Sequence, residues 1–99
     1  MKAYLSGKIS GLPMGLVRAK FEAAEQYLAS KGYEVVNPCK LDHSQNKEWS
    51  DHMKTDLRAM MDCDVIGLLP CWMDSPGARV EFNLAVTLNF AVISLEGML

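Results

Sequence analysis

Apolar residues along this chain fall into short unbroken runs and longer stretches with helical spacing, and the two kinds alternate. Ala3-Tyr4-Leu5 is a short run closed by Ser6-Gly7, which reads as a buried first strand. From Met14 to Ser30 the residues Leu16, Val17, Phe21, Ala24, Tyr27 and Leu28 recur at a helical period, and Gly32 sits where a C-cap belongs. Tyr33-Glu34-Val35-Val36 predicts a second strand, stopped by Asn37-Pro38. A polar stretch over residues 37–49 follows. Ser50 can cap a helix over about residues 51–62, whose core face is Met53, Leu57, Met60 and Met61. Residues 63–70 are apolar on both faces and predict a central strand. Ser75 as N-cap and Pro76 at the first helical position open another helix that reaches about Leu88. Its apolar side is Ala78, Phe82, Ala85 and Leu88, with Leu84 alongside, and residues 90–94 predict a fourth strand.

The order β-α-β-α-β-α-β predicts an α/β fold. We expect a doubly wound, Rossmann- or flavodoxin-like parallel sheet of about four strands, with three main helices on its two faces. The 99 residues, 49% of them hydrophobic, suit one domain over residues 1–99. A net charge of −2 without a basic run argues against a nucleic-acid polymer as partner. No window approaches a membrane span, and the start of the chain is too short in apolar length for a signal peptide. Cys39, Cys63 and Cys71 are odd in number and lack C-x-x-C spacing, so we expect reduced thiols in a cytoplasmic protein.

Candidate chemistry gathers at the carboxyl ends of the predicted strands, where ligands bind such sheets. Glu81 falls within the apolar stripe of the last helix, with Gly77, Ala78, Leu84 and Ala85 one turn away. A carboxylate there must be paired, neutralised or face a cavity. Arg79, Arg18 or Arg58 could pair with it. The loop after the first strand carries Gly7, Lys8, Ser10 and Gly11, which could hold a phosphate or a sugar hydroxyl, though no phosphate-loop or dinucleotide spacing is present. Asp56 borders the apolar face of its helix, where His52 one turn earlier, Lys54 or Arg58 could neutralise it. Asp51 has an ordinary role at the helix N-terminus. Cys39, Asp42, His43 and His52 form a polar cluster, but the spacing matches no structural zinc pattern, and no metal is expected. Residues 37–49 make a long loop of the kind that forms lids or specificity loops, or that is disordered. Trp72 and Asp74 lie ahead of the Glu81 helix, and exposed Trp72 and Met73 could instead mark a partner surface.

Four pieces of the chain, Tyr4-Leu5-Ser6-Gly7-Lys8-Ile9-Ser10-Gly11, Asp56-Leu57, Cys63-Asp64-Val65 and Gly77-Ala78-Arg79-Val80-Glu81-Phe82-Asn83-Leu84-Ala85, resemble the nucleoside 2-deoxyribosyltransferase superfamily in order and spacing. The resemblance is nearest to the 2′-deoxynucleoside 5′-phosphate N-hydrolases and to short, often phage-borne members of unassigned function. It implies N-glycosidic bond cleavage or transfer on a 2′-deoxynucleoside or its 5′-monophosphate, without a cofactor. In those enzymes a glutamate attacks the anomeric carbon, a strand tyrosine orients it, and an aspartate serves the departing base. Here these positions are Glu81, Tyr4 and Asp56. The resemblance further implies a base or sugar contact from Asp74 and a phosphate-gripping first loop, although the hydrolases carry an arginine where this chain has Ser10. Together with the sheet topology, the expected substrate-binding residues are Gly7, Lys8, Ser10, Gly11, Trp72, Asp74 and Gly77. It also implies a homo-oligomer. Superfamily members usually continue past the fourth strand, whereas this sequence stops at Leu99. Neighbouring subunits are therefore expected to complete the site, or the chain is a non-catalytic module that binds a nucleotide or a nucleotide-derived ligand.

Overall fold

The computed structural model describes residues 1–70 and 72–97. Its strands are β1 (Lys2–Ser6), β2 (Glu34–Val36), β3 (Val65–Leu68) and β4 (Ala91–Ser94), and its helices are α1 (Met14–Ser30), α2 (Trp49–Met60) and α3 (Pro76–Thr87). All pairings are parallel, in the order β2-β1-β3-β4. The α/β, doubly wound architecture expected from the alternating pattern is therefore present. Strand order reverses between β1 and β3, where Tyr4 pairs with Ile66 and Ser6 with Leu68. That reversal opens a crevice at the carboxyl ends of these two strands.

Strand alternation divides the core into two layers. Ala3, Leu5 and Val65 pack with Val17, Phe21, Ala24 and Leu28 of α1 on one face. Tyr4, Ile66 and Leu68 pack with Met60 of α2 and Ala85 of α3 on the other. Side chains expected in the core at helix ends are instead exposed. Met61 and Leu88 are C-cap residues beyond the last helical turn, and Leu16 turns away from the Val17–Phe21 stripe.

Local signals account for most element boundaries. α1 ends as Gly32 takes a left-handed φ of 92° and Tyr33 N–H donates to the Leu28 carbonyl at 3.2 Å. α3 begins where Ser75 Oγ accepts from Ala78 N–H at 3.1 Å and Pro76 occupies the first turn. α2 starts earlier than Ser50 would suggest. Glu48 is its N-cap, in a capping box with Asp51, so Ser50 lies inside the first turn.

The stretch between β2 and α2 is tied down along its length. It opens with a 3-10 turn (Pro38–Lys40) whose Asn37 side chain accepts from Cys39 N–H and donates to Glu25 of α1. Lys40 meets Glu22 and Glu25, each at 3.0 Å, and Asn46 bonds Thr55 of α2 at 3.0 Å. A second 3-10 turn (Trp72–Asp74) joins β3 to α3. Cys39 and Cys63 are free thiols, and the third expected thiol, Cys71, lies outside the described residues. Among the described residues, no helix is long and apolar enough to cross a membrane.

Candidate active site

At the crevice lies a cavity of about 430 Å³, walled by the loop after β1, the segment after β2, α2 and the first turns of α3. Tyr4, Gly7, Lys8, Ser10, Asp56, Asp74, Gly77 and Glu81 all line it. Two expected residues do not. Gly11 lies further along the exposed loop with a left-handed φ of 81°, while the Trp72 ring tilts onto Phe82 with centroids 4.6 Å apart. Trp72 instead edges a smaller hollow of about 300 Å³ with Met73, Arg79, Phe82 and Asn83.

Glu81 is the centre of the cavity's chemistry. It sits on the sheet-facing side of α3 and is only 5% exposed. No arginine reaches it: among the described residues the ion pairs are those of Lys40 and the His43–Asp56 pair. Two hydroxyls on β1 hold it instead. Tyr4 Oη donates to Oε2 and Ser6 Oγ to Oε1, each at 2.7 Å. Burial pushes the Glu81 carboxyl up to about 7, and the Tyr4 and Ser6 donors draw it back only in part. Burial, helped by the neighbouring Glu81 charge, also raises the Tyr4 hydroxyl, so Tyr4 stays a donor throughout the working range.

Asp56 enters from α2 and is 8% exposed. Burial raises its carboxyl, while His43 and His52 oppose the rise. The histidine that touches it is not His52 on its own helix. His43, in the segment before α2, places Nε2 2.8 Å from Asp56 Oδ1, and its ring stacks on His52 at 4.9 Å between centroids. Asp42 points elsewhere and accepts from Ser44 N–H at 2.9 Å. The Cys39, Asp42, His43, His52 group thus dissolves into a carboxylate–histidine pair and a separate turn.

The remaining lining is mixed. Met14, Trp49 and Met53 give it apolar surface, and Lys8 and Arg18 place two cations on its rim. α2 and α3 approach closely at Gly77, where a Cβ would lie 3.1 Å from Met53 Sδ. Sequence reasoning did not single out Ser6, did not join His43 to Asp56, and offered Arg18 as a partner of Glu81 rather than as a cation on the cavity wall. Ser6 was legible in principle, since it stands two residues from Tyr4 on the same strand. His43 and Arg18 depend on how the loop and α1 pack, which no local pattern encodes.

Fold and cavity together define a doubly wound α/β protein with a carboxylate-lined cleft at its topological switch point. The chain belongs to the family described as domain of unknown function (DUF4406), whose profile matches residues 1–94. No curated protein matches the sequence. Among solved structures, the Clostridium botulinum CMP N-glycosidase BcmB shares the fold at a TM-score of 0.63, with 21% identity over 95% of this chain and 67% of that one.

Proposed function

We propose that this chain cleaves or transfers the N-glycosidic bond of a 2′-deoxynucleoside or its 5′-monophosphate, with Glu81 as nucleophile. One observation carries the reading. A buried carboxylate without a cationic partner among the described residues is gripped by two hydroxyls on the wall of a cavity that a second buried carboxylate, Asp56, also lines. Such a group is costly to keep unless it acts. The likeness of fold to a CMP N-glycosidase agrees with this class of chemistry.

In the proposed reaction a Glu81 oxygen bonds to C1′ as the C1′–N bond breaks. The bonding electrons leave with the base, which takes a proton from Asp56. Water or a second base then attacks C1′, the ester bond to Glu81 breaks, and Asp56 recovers the proton. Retaining enzymes of this kind hold their two carboxyl groups about 5–5.5 Å apart. The first step needs Glu81 ionised and Asp56 protonated. Burial raises both carboxyls, Glu81 to about 7, while the Tyr4 and Ser6 donors favour the ionised form of Glu81 and His43 and His52 oppose the rise of Asp56. Lys8 and Arg18 would face a 5′-phosphate, and Met14, Trp49 and Met53 would flank the apolar parts of the substrate. Self-association belongs to the same proposal. β4 forms one edge of the sheet with Val92 45% exposed, and a monomeric mass in sedimentation would count against it.

The test is base release from deoxynucleosides, ribonucleosides and their 5′-monophosphates, followed by chromatography for wild type and Glu81→Gln. Release by wild type alone supports the reading, and equal release by both rejects it. Chromatography would also tell hydrolysis from transfer, through the appearance of a new nucleoside when a second base is supplied.

A further inference from the structure

Two hydroxyls of β1, rather than one, converge on the Glu81 carboxylate. Tyr4 and Ser6 are two residues apart, so the strand's alternation sends both toward α3. Ser6 is held firmly in place. It pairs with Leu68 in the β1–β3 register, its carbonyl accepts from Leu69 N–H at 2.9 Å, and it is 1% exposed. Tyr4 and Glu81 line the cavity but Ser6 does not, so its hydroxyl meets Oε1 from outside the ligand space. A carboxylate with a donor on one oxygen can still turn about its terminal bond. With a short hydrogen bond on each oxygen it cannot turn without losing one.

We infer that Ser6 is a positioning residue for Glu81, its hydroxyl acting with that of Tyr4 to fix the carboxylate plane and hold its charge for attack at C1′. This inference rests on Glu81 being the nucleophile. Its physical core, that Ser6 favours the ionised carboxylate, can be read without any reaction. Burial already lifts Glu81 to about 7, and Ser6 is one of the two donors opposing that lift. Losing a hydrogen bond to a charged group should raise the carboxyl by about one pH unit or more.

The experiment follows the Glu81 side-chain carboxyl by carbon-13 NMR in unliganded protein with labelled glutamate, using Glu81→Gln to assign the signal. Wild type is compared with Ser6→Ala, with Ser6→Cys, which keeps the volume but weakens the donor, and with Ser6→Thr, which keeps the hydroxyl. Both Ser6→Ala and Ser6→Cys should titrate higher than wild type, and Ser6→Thr should stay close to it. In base release from the four 2′-deoxynucleoside 5′-monophosphates, kcat of Ser6→Ala should fall about tenfold near pH ~6, and the deficit should shrink toward pH ~9, with KM changing less. A fold defect would lower the rate equally at every pH. An unchanged Glu81 titration in Ser6→Ala and Ser6→Cys would overturn the inference. Absence of base release by wild type, or equal release by Glu81→Gln, would overturn the nucleophile assignment instead, and the titration would still decide whether Ser6 holds the carboxylate.

Discussion

Replacing Glu81 with glutamine should stabilise the protein at neutral and alkaline pH while removing the proposed base release. The magnitude follows from the titration of the buried carboxyl, which moves from 4.5 to about 7 on folding, with burial outweighing the two hydroxyl donors. Each pH unit of that gap is worth about 1.4 kcal/mol, so ionised Glu81 lowers stability by about 3 kcal/mol. The sign is set by the folded state holding the proton more tightly than the unfolded chain. No penalty exists well below pH 4.5, it grows as the pH rises through this interval, and it is complete above about 7. Glutamine keeps the size and carries no charge, so the pH-dependent part vanishes. One of the two hydroxyls must then turn round to accept from the amide, which lowers the gain by an amount independent of pH. Denaturant unfolding of both proteins across pH ~5 to ~8 checks this, because the stability difference should widen in favour of Glu81→Gln by about 2.5 kcal/mol over that span. Parallel pH curves for the two proteins would refute the argument that this carboxylate is buried at a cost for the sake of its charge.

Three further outcomes follow from the same geometry. Gly7→Ala should destabilise by about 1–3 kcal/mol, seen as a lower melting temperature, because its Cβ would sit 2.9 Å from Leu69 Cβ and neither backbone can yield cheaply; a wild-type melting curve would refute this. Lys8→Ala and Arg18→Ala should each raise KM for a 5′-monophosphate about tenfold and leave the matching nucleoside nearly unaffected; equal effects on both substrates would remove these cations from phosphate recognition. His43→Ala should move the basic limb of the pH–rate profile to higher pH, since His43 opposes the burial that raises the Asp56 carboxyl; an unmoved limb would show that Asp56 is not the proton donor.

How much of this could be read from the chain alone varies with the range of the interaction. Apolar runs and helical spacing gave the strands, the α1 boundaries and the sheet class, because those signals repeat every two or every three to four residues. The Ser75-Pro76 start of α3 was legible because a cap is chemistry between near neighbours. The start of α2 was not, because Ser50 is a preferred cap type and Glu48 is not, and only the reciprocal bonds with Asp51 make Glu48 the cap. The sequence likewise marked Glu81 as a carboxylate in an apolar stripe, and so as a residue needing an explanation. The helix pattern by itself left an arginine and a hydroxyl both open as its partner, and only the family resemblance pointed to Tyr4. That choice was made by the packing of α3 over β1, a contact between residues more than seventy positions apart that brings Tyr4 and Ser6 to the carboxylate. Tertiary structure also decided that Asp56 meets His43 across a loop rather than His52 on its own helix, and that Trp72 lies against Phe82 outside the cavity. Periodicity fixes which face of an element is buried, while the partner a buried polar atom finds depends on which elements meet, and only the folded chain settles that.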